Sequence, residues 1–97
     1  MNPLQISRDG ARLSVRGELT FDSVADALRR SLDWPEQTDI EIDLAGVSRS
    51  NSAGLALLLE WLKNAQQKGR QIKYHNVPEQ LLTIARAYGI DDDLPIA

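Results

Sequence analysis

Ser52 is the residue on which chemistry can most readily be built. It closes a hydroxyl- and amide-rich stretch, Ser48-Arg49-Ser50-Asn51-Ser52-Ala53-Gly54-Leu55, that leads from the end of a strand into a helix. Free backbone N–H groups and the positive end of the helix converge there. Two readings are open. In one, Ser52 or Asn51 caps the helix and contributes roughly 1 kcal/mol; in the other, the Ser52 hydroxyl contacts a partner or accepts a phosphate. A nucleophilic role would need a base, and the chain has one histidine, His75. In a strand whose Ile72 and Tyr74 face the core, alternation turns His75 outward. No Gly-x-Ser-x-Gly elbow accompanies Ser52, so a hydrolase built on Ser52 and His75 has little support.

Other candidate chemistry is weaker. Asp91-Asp92-Asp93 is a contiguous run whose side chains diverge, without the spaced ligands of a calcium loop, and reads as a solvated acidic turn. Asp39, Glu41 and Asp43 read as the wet face of a strand rather than as paired acids, and Asp22 as a helix cap. The six glycines never form a dinucleotide fingerprint or a Walker loop. Cysteine is absent, which excludes disulfides, thiolate nucleophiles and thiolate metal sites. The expectation is a non-enzymatic chain with no catalytic residue, no metal and no cofactor.

Composition narrows the class further. With 97 residues, 42% hydrophobic and 26% charged, the chain fits one folded domain over 1–97. The net charge is −3 and the basic residues are scattered apart from Arg29-Arg30, so no basic stripe exists for nucleic acid. The longest apolar stretch, Leu55 to Leu59, is far shorter than the roughly 20 residues of a spanning helix, and the first residues lack a signal-peptide pattern. These features point to the cytoplasm and to binding another protein.

The elements that must position Ser52 follow from patterning. Leu4 and Ile6 alternate with polar residues, Asp9-Gly10 supplies the positive-φ pair of a hairpin, and Leu13 and Val15 resume the alternation. Behind a Thr20 or Asp22 cap, Val24, Ala27, Leu28, Ser31 and Leu32 recur at helical spacing until Pro35. Asp39-Ile40-Glu41-Ile42-Asp43-Leu44 alternates as a strand with one buried face, and Ala45 to Ser52 reads as a polar loop. A helix is expected from about Ala53 to Lys68, stopped by Gly69, then a strand over Gln71 to His75. Pro78 fits the first turn of a last helix, with Leu81, Ile84, Ala85 and Tyr88 on one face before Gly89. The order β-β-α-β-α-β-α predicts an α/β fold with a mixed sheet and helices mainly on one face.

In the helix after Ser52, Leu55, Leu58, Leu59, Leu62 and Ala65 form a complete core stripe at roughly 100° per residue. On that wheel Leu57 and Trp61 lie outside it. They would leave apolar surface beside Ser52, with the tryptophan as a binding hot spot. The opposing expectation is that Trp61 packs under a neighbouring helix and Leu57 is one tolerated surface leucine.

Three segments carry a resemblance. Gly17-Glu18-Leu19-Thr20, Ile42-Asp43-Leu44 with Val47, and Asn51-Ser52-Ala53-Gly54-Leu55 are similar to the strand ends and the Asp-Ser/Thr-x-Gly loop of STAS domains (sulfate transporter and anti-sigma factor antagonist). Ser52 to Leu62 and the Val77-Pro78 helix entry most resemble its MlaB-like members, the free-standing STAS subunits of Mla phospholipid ABC transporters. The resemblance spans nearly the whole chain. It implies a non-catalytic accessory subunit that binds the cytoplasmic ABC ATPase in phospholipid trafficking and outer-membrane lipid asymmetry. Such a subunit reaches the permease indirectly and sits peripheral to the inner membrane without inserting. The partner-binding residues it implies, together with the wheel, are Asn51, Ser52, Ala53, Gly54, Leu57 and Trp61. The other branch of the family implies an anti-sigma factor antagonist switched by phosphorylation of Ser52. Asn51 in place of the family's usual acid, and Thr20 in place of Asp, argue against that branch.

Overall fold

The computed structural model describes residues 4–30 and 39–97. Two strands, β1 (Gln5–Asp9) and β2 (Arg12–Leu19), open the chain, followed by helix α1 (Phe21–Arg30). Then come β3 (Ile40–Ser50), α2 (Ser52–Gln67), β4 (Ile72–His75) and α3 (Glu79–Ala87), with a short 3-10 turn at Asp91–Asp93. The sheet order is β1-β2-β3-β4. β1 pairs antiparallel with β2, while β2–β3 and β3–β4 pair in parallel. This is the mixed α/β architecture that the patterning predicts.

Alternation builds the core from one sheet face. Leu13, Val15, Ile40, Ile42, Leu44, Ile72 and Tyr74 are buried, while their neighbours Arg16, Glu41 and Lys73 are exposed. The helices cover the apolar face: α2 packs between α1 and α3 and adds Leu55, Leu57, Leu58, Trp61 and Ala65 to the core. Buried Tyr74 donates its hydroxyl hydrogen to the Leu58 carbonyl, which ties β4 to α2. The same burial raises the pKa of its phenol far above the ordinary tyrosine value.

Several expectations need correction. The segment 45–50 is strand and not loop, because Arg16, Gly17, Glu18 and Leu19 of β2 pair with Gly46, Val47, Arg49 and Ser50. Two register shifts along this ladder break the alternation that would have revealed it. At the hairpin, the two-residue loop is Gly10-Ala11, with Gly10 at φ 61, rather than Asp9-Gly10. Tyr88 is 68% exposed instead of joining Leu81 and Ala85 inside. The expected helical positions Ser31 and Leu32 and the stop at Pro35 lie outside the described residues.

The largest correction concerns α2. Leu57 and Trp61, expected on the surface, are both 0% exposed, whereas Leu59 of the expected stripe is 36% exposed. Positions 54, 57, 58, 61 and 65 satisfy the helical repeat as well as 55, 58, 59 and 62 do. Leucines at 55, 57, 58, 59 and 62 make nearly every side apolar, so periodicity alone did not set the phase. Burial of the large indole, with Gly54 and Ala65 small enough for close approach, favours the observed phase. Trp61 is therefore buried, as the opposing expectation had it, while Leu57, which that expectation left on the surface, is buried as well.

Candidate functional site

The carboxyl ends of β2 and β3 lie side by side, with Leu19 opposite Ser50 and the Asn51 amide donating to the Leu19 carbonyl at 3.3 Å. From this edge the chain enters α1 at Phe21 and α2 at Ser52. α3 joins the same edge, since the Gln80 side-chain carbonyl accepts from the Ser50 amide at 2.9 Å. Three helix starts are thereby gathered around one short polar segment.

Within that segment the roles separate. Asn51 is the N-cap: its backbone is extended at φ −125, and its Oδ1 accepts from the Ala53 amide at 2.9 Å. Ser50 is buried and its hydroxyl donates to the Asn51 carbonyl at 3.3 Å. Ser52, the first residue of α2, is exposed, and its side chain makes no hydrogen bond among the described residues. Of the two capping candidates, Asn51 does the capping, and the Ser52 hydroxyl faces outward. Ala53 and Gly54 are buried behind it. A Cβ at position 54 would stand 2.1 Å from Ser50 Oγ and 3.2 Å from both Leu19 Cβ and Leu81 Cδ2. Gly54 thus lets α2 approach β3 and α3 closely enough to present Ser52 at the rim.

Beside Ser52 an open groove of about 710 Å³ runs along α3, lined by Ser50, Asn51, Ser52, Gln80, Thr83, Ile84, Ala87 and Tyr88 among others. Tyr88 and, on α1, Phe21 at 74% exposure supply aromatic surface. The apolar flank next to Ser52 is therefore on α3, not on the Leu57–Trp61 side of α2. Of the six expected partner-binding residues, Asn51 and Ser52 reach this groove, Ala53 and Gly54 support it from below, and Leu57 and Trp61 are sealed in the core. Patterning missed Tyr88 because it is the C-cap of α3, at φ −91 and ψ −1, where the helical repeat no longer governs direction. Phe21 falls in the i, i+3, i+7 repeat with Val24 and Leu28, so patterning would have turned it inward; as the first residue of α1 it is exposed instead.

The remaining candidates stay apart from the groove. His75 Nε2 lies 3.0 Å from Glu41 Oε1 across β3 and β4, and no Ser52–His75 hydrogen bond is present among the described residues. Asp43 accepts from Asn76 Nδ2 and the Ala45 amide, each at 3.0 Å, and from Arg12 Nη2 at 3.1 Å. The Asn76 bond and then the Ala45 amide, with a lesser part from Arg12, hold its carboxyl below the ordinary aspartate pKa against the opposing effect of burial. Asp92 and Asp93 are exposed in the 3-10 turn. Among the described residues no group of three or more His, Asp or Glu side chains is placed to hold a metal ion.

Residues 3–96 match the family model described as Mlab, STAS domain. The chain belongs to the MlaB-type STAS domain family. Two relatives carry the name intermembrane phospholipid transport system binding protein MlaB. The one from Haemophilus influenzae is 28% identical over 94 residues, covering 92% of this chain and 90% of that protein. The one from Escherichia coli K12 is 36% identical over 53 residues, covering 55% of each. In this STAS domain the β3–α2 junction carrying Ser52 and the exposed edge of α3 form one continuous surface, and no helix among the described residues is long and apolar enough to cross a membrane.

Proposed function

We propose that residues 1–97 act as one STAS domain, a non-catalytic accessory subunit of an Mla-type phospholipid ABC transporter. It docks the Ser52 rim and the exposed α3 edge onto the transporter's cytoplasmic ATPase, and so lies at the inner membrane without inserting. The observation that carries this reading is the groove that joins outward-facing Ser52 to Ile84, Ala87 and 68%-exposed Tyr88 in a chain of the MlaB-type family. The name the relatives carry, intermembrane phospholipid transport system binding protein, supplies the system. An exposed tyrosine beside apolar neighbours is the kind of anchor that dominates interfaces. Regulation would follow if the domain bound two ATPase states unequally, favouring the one it binds better.

The test is binding of the purified chain to the ABC ATPase encoded in its own host, with Tyr88→Ala as matched control. Binding that Tyr88→Ala weakens, with its melting temperature unchanged, supports the reading. Absence of binding would overturn it, and capture of an anti-sigma kinase that adds phosphate mass at Ser52 would replace it with a phosphorylation switch.

A further inference from the structure

A second cavity lies at the opposite end of α2 from the docking groove. From Ser52 to Gln66 the helix advances about 21 Å at 1.5 Å per residue, so the two places are distinct. This pocket, of about 320 Å³, lies among the last turns of α2, the approach to β4 and the tail that pairs with it. Its tail wall is fixed by the Tyr74 amide donating to the Pro95 carbonyl and the Ala97 amide donating to the Tyr74 carbonyl, each at 2.9 Å.

The wall is chemically two-sided. Leu62, Ile72 and Ile96 give it an apolar side, and Gln66, Arg70 and Lys73 give it amide and cationic groups. Arg70 is the unusual member. It is only 8% exposed, and its Nη1 is the one buried side-chain nitrogen or oxygen without a hydrogen-bond partner among the described residues. A guanidinium is always charged, and burying it without a counter-charge is strongly unfavourable. Its position explains how it comes to be inside: Arg70 shares the parity of Ile72 and Tyr74, which face the core, and its amide is held by the Ala65 carbonyl at 2.8 Å. The nearby Asp39 carboxylate accepts from the Gln71 amide at 3.2 Å and is not part of the pocket wall.

The geometry points to a binding site for a small oxyanion carried on an apolar body, an alkyl phosphate or an alkyl carboxylate, with Arg70 as its counter-ion. The guanidinium charge is delocalised, so an oxyanion meeting another of its nitrogens offsets the charge of the whole group, while the sealed Nη1 itself stays without a hydrogen bond. Lys73 adds charge at the rim, and Leu62, Ile72 and Ile96 receive the chain. The volume falls at the small end of ordinary ligand pockets and suits a short alkyl group.

The experiment titrates the full chain with hexyl phosphate, hexanoate, inorganic phosphate and hexanol by calorimetry. One of the two amphiphilic anions should saturate at least roughly tenfold more tightly than inorganic phosphate or hexanol, and the tighter of the two identifies the head group. Arg70→Met should weaken it at least roughly tenfold, about one decade in Kd. Leu62→Trp, which fills the pocket and leaves Arg70 in place, should block it, while Thr83→Ala in the docking groove should bind as the parent does. Without ligand, Arg70→Met should melt no lower than the parent, because an apolar side chain replaces a cation with no counter-charge among the described residues. Failure of both anions to saturate by about 1 mM, or unchanged binding in Leu62→Trp, would overturn the site. A marked loss of stability in Arg70→Met would mean that the guanidinium already has its counter-charge within the chain, and would overturn it equally.

Discussion

Trp61 and Gly54 show how much of this domain is decided by single side chains. The indole is wholly buried in the central helix, so Trp61→Ala should lower unfolding free energy by about 3–5 kcal/mol through lost transfer energy and the cavity left behind. Urea denaturation at neutral pH measures it, and a change below about 1 kcal/mol would contradict that packing. Gly54 acts by absence of bulk. Its virtual Cβ lies 2.1 Å from Ser50 Oγ, so Gly54→Ala should cost about 1–3 kcal/mol of overpacking and shift the Asn51–Ser52 rim. The same denaturation experiment tests it. The sequence made both residues conspicuous but did not reveal their roles. A tryptophan on a helix leucine-rich around its whole circumference has no uniquely polar opposite side, so its direction is set by what packs on either flank. Asn51 was more legible, because an amide before a helix start has few other local partners.

At the scale of elements, β3 is the clearest case of structure set by partners far away in sequence. Its first half alternates charge and aliphatic residues and reads directly as a strand. Its second half, Ala45–Ser50, has no alternation to read and is strand because β2 supplies a parallel ladder. Helix stops were legible for a local reason: Gly69 and Gly89 both take positive φ, at 69 each, where a side chain would be strained. Asp43 joins these elements, binding Arg12 of β2 on one side and Asn76 after β4 on the other. Its folded pKa is lowered, first by Asn76 and then by the Ala45 amide and Arg12. The stabilisation it gives is therefore complete above the unfolded aspartate value, about 3.9, and is lost as pH falls through the lower folded value. Asp43→Asn should lower the melting temperature at pH 7 and flatten its decline below pH 4, which a melting series from pH 7 to pH 2.5 would show. Parallel acid limbs in the two proteins would contradict the role.

At the scale of the whole molecule, one sheet face is wet and the helices bury the other, so a partner that reads the Ser52 rim must approach at the strand ends. That geometry separates binding from folding in a way the α2 surface first expected could not, since Trp61 and Leu57 belong to the core. Tyr88→Ala removes an exposed ring, so unfolding should change little while ATPase affinity falls by about 2 kcal/mol, roughly 30-fold. Ser52→Asp makes the sharper case. An acid in the first turn of α2, which has none, meets the positive helix end and should stabilise the fold by about 0.3–1 kcal/mol. The same charge brought into a partly apolar interface is desolvated without a counter-ion and should weaken docking. Stability and affinity should thus move in opposite directions for Ser52→Asp, while Trp61→Ala lowers stability alone and Tyr88→Ala lowers affinity alone. Melting curves paired with affinity for the ATPase distinguish these three patterns, and a Ser52→Asp variant that binds as tightly as the parent would move the interface away from this edge of the sheet.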